Sequence, residues 1–170
     1  MSAKILAIDL GLKNLAHASN SGASHSNSGA LTFGVLDKDL TRMPLHSRLN
    51  ILDSTIKPMI QNHDVIVIEK QHPHNVVMMC IMYAICAICQ TLNKRYIVYD
   101  PKLKFKFMGI EMNTKNKKHK TDTIKWVRER LENYGSAAGV FDSFIKKDDI
   151  SDAIVMLLDV ESSSSSVPSS

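Results

Sequence analysis

Apolar residues along this chain follow two patterns, short unbroken runs and helical spacing, and the switches between them mark out its elements. Lys4-Ile-Leu-Ala-Ile-Asp9 is short, apolar and broken at Gly11, which predicts a strand covered on both faces. Residues 12–19 predict a returning strand after the turn Leu10-Gly-Leu-Lys-Asn14, and Leu31-Thr-Phe-Gly-Val-Leu36 a third. Between them, residues 20–29 (Asn-Ser-Gly-Ala-Ser-His-Ser-Asn-Ser-Gly) have nothing to bury and read as a flexible loop. From about Pro44 the spacing becomes helical, with Leu45, Leu49, Leu52, Ile56 and Ile60 on one face and Pro58 predicting a kink or ragged last turn. Asp64-Val-Ile-Val-Ile-Glu69 sets four β-branched residues between two acids and is the strongest strand signal in the chain. A helix over 75–93 and a strand over Arg95–Tyr99, ended by Pro101, follow. A lysine-rich segment over 102–120 leads to an amphipathic helix from Thr121 to about Tyr134, and a last helix covers about Asp148–Leu158.

The order β-β-β-α-β-α-β-α-α predicts an α/β fold with a five-stranded mixed sheet flanked by helices. Three antiparallel strands come first, then parallel strands joined by crossover helices. Residues 1–160 form one domain in this reading. Residues 161–170, seven of them Ser, form a disordered tail.

Composition narrows the class. At 170 residues, 44% hydrophobic and 22% charged, the chain is neither generally disordered, nor collagen-like, nor a disulfide scaffold. Its longest uncharged apolar run, Val76–Cys89, has fourteen residues. That is short of the ~20 that span a bilayer, so no membrane association is expected. Three cysteines, an odd count, and no secretory leader predict an intracellular, reducing compartment. A net charge of +4 says little about partners as a global figure. Locally it says more: residues 102–120 hold seven lysines against the single acid Glu111, with Phe105 and Phe107 interleaved as apolar or stacking contacts. Such a run ahead of a helix N-terminus favours nucleic-acid phosphate over a merely solvated loop.

The acids supply the candidate chemistry. Asp9 and Glu69 each end a strand, and a helix between them makes the strands parallel. Both then emerge at the C-terminal edge of the sheet, where α/β sites lie; if the strands are neighbours, one metal ion can reach both. Acids at strand ends also serve simply to face water, but two at one edge is a more pointed arrangement. Asp149 and Asp152 are spaced i, i+3 on one helix face, and Asp148, i, i+4 from Asp152, competes with Asp149. The helix dipole accounts for Asp148 and Asp149; it accounts poorly for Asp152, beside the apolar run that begins at Ala153. Four carboxylates converging on one place are what two Mg²⁺ ions need for phosphodiester cleavage. Cys86-Ala-Ile-Cys89 lies inside an apolar helix and reads as core. His72-Pro-His74 reads as a polar loop, and the helix 75–92, apolar nearly all round, offers a face to a second subunit.

Ile8-Asp-Leu-Gly-Leu-Lys-Asn14, Val67-Ile-Glu-Lys-Gln71 and Asp148-Asp-Ile-Ser-Asp-Ala153 together resemble the three acidic motifs of RuvC-like Holliday junction resolvases. The poxvirus-type and mitochondrial-type branch in particular carries similar IDxGxKN, IE(R/K)Q and DDxxD(A/S) stretches. The resemblance spans nearly the whole chain, in order. It implies an RNase H-like fold, a homodimer and paired, symmetric nicking of four-way junctions in branched double-stranded DNA. It also implies dependence on Mg²⁺, two ions per site, for which Mn²⁺ can substitute. Carried across, Asp9, Glu69, Asp149 and Asp152 match the metal-binding acids. The basic residues ahead of the third motif match Lys115, Lys118 or Lys120, with Lys118 the candidate catalytic lysine. Lys13, Lys102, Lys104, Lys106, Lys115, Lys117, Lys118 and Lys120 form the expected DNA-binding set. The compartment implied is the cytoplasm of an infected cell for a viral protein, or the mitochondrion.

Three other readings compete. A ribonuclease H-type hybrid nuclease shares the fold, but places its Glu on a helix rather than a strand end. A non-catalytic branched-DNA-binding module has no use for surplus carboxylates that repel phosphate. An actin-like kinase also has Asp-x-Gly after its first strand, but needs two lobes, for which this chain is too short.

Overall fold

The computed structural model describes residues 3–22, 30–36, 38–111 and 119–165. A five-stranded sheet is ordered β3-β2-β1-β4-β5, from β1 (Ile5–Asp9), β2 (Leu15–Asn20), β3 (Leu31–Leu36), β4 (Val65–Glu69) and β5 (Arg95–Tyr99). The opening meander is antiparallel, β1 with β2 and β2 with β3. β4 then inserts beside β1 in parallel, and β5 beside β4 likewise. This is the mixed sheet that the apolar runs predict. Of the expected 20–29 loop, residues 23–29 lie outside the described residues.

The faces of the sheet separate by side-chain parity. Leu6, Ile8, Ile66 and Ile68 pack on one face against Leu52, Ile56 and Ile60 and against α3 (Val76–Thr91). The helical pattern from Pro44 is a single rod in three pieces: α1 (Leu45–Ile51), a π-helical turn (Leu52–Ile56) and α2 (Lys57–Gln61). Pro58 has no N–H to give, and its ring crowds the carbonyl of Ser54 one turn earlier. The widened turn relieves both, so the proline reshapes the rod without ending it.

Ile5, Ala7, Val65 and Val67 face the other way, toward α7 (Lys147–Ser165). Ala7, Ala16 and Ala18 on the strands and Ala153 on the helix are all fully buried. These small side chains let the α7 backbone lie close to β1 and β2. α4 (Pro101–Met108), α5 (His119–Leu131) and α6 (Ala137–Ser143) complete this layer.

Three segments depart from expectation. Pro101 ends β5 but also begins α4: Asp100 caps the helix by accepting from the Lys102 N–H at 2.9 Å, with proline at the first position. Gly109 stops it at φ 69°, and the Ile110 N–H closes back on the Phe105 carbonyl at 2.9 Å. α6 carries no expectation, being too short to show a period. α7 runs on to Ser165, so residues 161–165, expected in the tail, are helical. The helix end is tied down: Tyr99 donates to Asp159 at 2.6 Å and Asn20 to Glu161 at 2.9 Å.

Candidate active site

Because Ile8 pairs with Ile68 in the parallel β1–β4 ladder, Asp9 and Glu69 follow at adjacent strand ends, on the face that α7 covers. Asp152 descends onto them from α7. Asp9 is buried, only 7% exposed. Burial first, then the Glu69 charge, a hydrogen bond to Glu69 and the Asp152 charge hold its pKa well above the usual carboxylate range. Burial likewise raises Asp152, partly opposed by the ammonium of Lys104. Asp9 and Asp152, crowded at this sheet edge, thus resist ionisation unless a cation joins them.

One side chain does join them. Lys104 projects from the inner face of α4, buried, and its Nζ lies 2.5 Å from Asp152 and 3.9 Å from Glu69. Lys104, expected in the DNA-binding set, therefore lies within the acidic centre, against two of its carboxylates. Lys102 and Lys106 point away from it and are exposed. Helical geometry separates them, because 102 and 106 are one turn apart whereas 104 is turned about 200° from 102. Phe105 and Phe107, expected as apolar or stacking contacts, are half-buried and pack against the core, Phe107 against Trp126 at 5.5 Å and Phe105 against His119 at 5.1 Å between ring centroids.

The structure separates the two adjacent aspartates. Asp148 turns outward to Lys120, 2.7 Å away, and that hydrogen bond lowers its pKa. Asp149 turns to the β1–β2 turn and hydrogen-bonds Asn14; burial, then the neighbouring Asp148 charge, raise its pKa. It lines a cleft of about 400 Å³ together with Leu10, Lys13, Asn14, Thr41, Gln71 and Asn75. Gly11 makes the turn possible: a Cβ there would meet the Asn14 carbonyl oxygen at 2.7 Å. A relay of hydrogen bonds pins the turn from behind. The Leu40 N–H donates to the Leu12 carbonyl at 2.7 Å, while buried Arg48 donates to the carbonyls of Leu40 at 2.7 Å and Thr41 at 3.0 Å. Gln71 supports Glu69, donating to its carboxylate at 3.2 Å.

Among the described residues, no three His, Cys, Asp or Glu side chains surround one point at metal-ligand geometry. Lys104 stands between two of the candidate donors. The donor set itself is all oxygen, which suits a hard divalent ion, and the mutual repulsion of the acids gives such an ion its driving force.

The family profile described as Poxvirus A22 protein matches residues 3–161. The chain belongs to that family. Among solved structures, the fowlpox virus resolvase in complex with substrate Holliday junction DNA is similar at 22% identity and a TM-score of 0.69, over 94% of this chain and 97% of that one. The fowlpox virus Holliday junction resolvase on its own gives 23% identity and 0.68, over 94% and 99%. Thermus thermophilus RuvC with Holliday junction substrate gives 12% and 0.68, over 96% of each chain. These likenesses establish the RNase H-like fold. No curated protein sequence matches.

Within this A22-family chain, the expected lysines divide three ways. Lys13, Lys102, Lys106 and Lys120 are exposed around the cleft and on α4 and α5. Lys115, Lys117 and Lys118, the last the expected catalytic lysine, lie outside the described residues. Among the described residues, Lys104 alone enters the centre. Its signal was legible in Asp100-Pro101 and Gly109, which bracket a helix and so put alternate lysines on opposite faces. The cysteines are free, with Cys86 and Cys89 buried and Cys80 exposed; burial pushes the Cys89 thiol up to about 12, far from metal or redox work. His72 and His74 are exposed, their rings 4.9 Å apart.

Proposed function

We propose that this chain is an endonuclease that resolves four-way DNA junctions by metal-assisted phosphodiester hydrolysis. The observation that carries this reading is the meeting of Asp9, Glu69 and Asp152, with Asp149 one turn away, at one edge of a resolvase-type sheet. Asp9, Glu69, Asp149 and Asp152 are the residues to hold Mg²⁺, two ions in all, with Mn²⁺ an acceptable substitute. Held by these carboxylates, the ions would supply Lewis-acid polarisation of a phosphate oxygen and an acidified water as nucleophile. The chain's own residues do the rest. Asn14 orients Asp149, Gln71 orients Glu69, and the Lys104 ammonium neutralises the centre and is placed to donate to a phosphate oxygen. This role, expected at Lys118, is proposed for Lys104. Lys13, Lys102, Lys106 and Lys120, with Lys115, Lys117 and Lys118, supply a basic surround for the DNA arms.

A homodimer would give two such sites related by a two-fold axis, one for each strand to be nicked. α3 supports this reading. Val76 (67% exposed), Cys80, Tyr83 (59% exposed) and Ala87 form an uncovered stripe with alternating four- and three-residue spacing, the pattern of a helix seam. No helix among the described residues is long and apolar enough to cross a membrane. The family assignment supports action in the cytoplasm of an infected cell over the mitochondrion.

The test is direct. Purified protein is incubated with a synthetic four-way junction, the matching duplex and an RNA–DNA hybrid, in Mg²⁺ or EDTA. Paired symmetric nicks in the junction alone, abolished by EDTA, are expected. Asp152→Asn should lose at least ~100-fold in cleavage while retaining junction binding. Undiminished cleavage by that variant would refute the site, and cleavage of the hybrid would redirect the substrate.

A further inference from the structure

Ile145 is 99% exposed, the extreme among the large apolar side chains of the described residues. It sits between α6 and α7, four residues before Asp149, hence within about 14 Å of it along even a fully extended chain. Its exposure is held in place. Phe144, next to it, packs on Phe33 with ring centroids 6.1 Å apart, and its N–H donates to the Phe141 carbonyl at 3.2 Å. Lys147, next after Lys146, donates its ammonium to the Phe144 carbonyl at 2.7 Å. A core anchor on one side and a 19-residue helix on the other thus fix a tip whose outermost group is a sec-butyl side chain. Beside it Lys146 is exposed, close enough that its charge acts on Asp149.

We propose that Ile145 is an apolar wedge that packs against a base face laid open at the branch point, beside the scissile phosphate. This rests on the function proposed above and adds a recognition element to it. A lone apolar tip suits this partner better than a protein. Its neighbours Asp142, Ser143 and Lys146 are exposed and polar, so the patch falls far short of the roughly 800 Å² per partner that a stable protein interface buries. Duplex DNA offers no base faces, since they are stacked; a four-way junction does offer them where its arms part. Apolar side chains wedged at base steps, with cations on the neighbouring phosphates, are an established way of holding distorted DNA. The wedge would therefore favour branched over linear DNA without reading sequence.

The experiment uses the full chain and a four-way junction carrying 2-aminopurine at a branch-point base, with binding followed by fluorescence in EDTA so that no strand is cut. Wild-type protein should raise the fluorescence as the base unstacks. Ile145→Ala should weaken junction binding roughly tenfold and suppress the rise. Affinity for the linear duplex and the thermal midpoint should stay unchanged, as suits a side chain with no contacts to lose, and Ile145→Leu should restore both junction signals. Wild-type affinity and fluorescence in Ile145→Ala would overturn the wedge while leaving the nuclease reading intact. An equal loss on duplex and junction would overturn it in favour of a general backbone contact, and a changed oligomeric state in favour of a protein interface. If wild-type protein neither prefers nor cuts the junction, the nuclease reading itself fails, and the wedge with it.

Discussion

Removing the Lys104 ammonium should expose how the acidic centre is held together. Lys104→Met keeps the buried methylene stem and deletes only the charge that lies 2.5 Å from Asp152 and 3.9 Å from Glu69. Breaking a buried pair by deleting one partner costs about 3–5 kcal/mol. Lys104 is 10% exposed and Asp152 28%, so water reaches one side of the pair, and about 2–3 kcal/mol is expected at neutral pH. The cost should depend on pH, and its sign follows from the neighbours. Asp9 and Asp152 already have raised pKa values, held down in part by Lys104. Without it they rise further, and a carboxyl group raised in the folded state contributes stability below its unfolded pKa that is lost as pH rises through the folded value. The deficit of the variant should therefore be small near pH ~4, under about 1 kcal/mol, and open toward neutrality. Urea unfolding at several pH values in EDTA measures it. If a divalent ion binds the same acids, adding Mg²⁺ at ~100 times its dissociation constant should return about 2.7 kcal/mol. A deficit that is constant across pH, or a variant more stable than the wild type at neutral pH, would refute this account of the centre.

Two further outcomes test how the cleft is built. Gly11→Ala should force the β1–β2 turn away from the Asn14 carbonyl, costing about 1–3 kcal/mol and lowering cleavage more than junction binding, as unfolding and single-turnover assays would show. Arg48→Met, which leaves the Leu40 and Thr41 carbonyls without their charged donor, should destabilise the chain by about 2–4 kcal/mol in denaturant unfolding; a cost under ~0.5 kcal/mol would show that water replaces the guanidinium.

Strands were the most legible part of this chain. Leu31–Leu36 and Arg95–Tyr99 coincide with their expected limits, and Asp64–Glu69 differs by one residue. Short β-branched runs bounded by polar residues carry their conformation locally. α4 was less legible, because the five residues Lys102-Leu-Lys-Phe-Lys106 look like a two-residue alternation of basic and apolar side chains. Only the Asp-Pro and Gly ends reveal the helical period. That single change of period places Lys104 in the acidic centre, and Phe105 and Phe107 against the core.

The sequence by itself determined the acids, the parity that sends Asp9 and Glu69 to the same side of parallel strands, and the i, i+3 spacing of Asp149 and Asp152. These are local properties of strand and helix geometry. The tertiary structure decided that β1 and β4 are neighbours, which makes two strand-end acids one site. It decided that Asp149 faces the cleft while Asp148 turns to Lys120, and that Lys104 lies among the acids. Each of these depends on which elements pack together, through alanine-lined contacts between α7 and the sheet and through the sheet order itself. Contacts between residues far apart in the chain carry no local period from which they can be read.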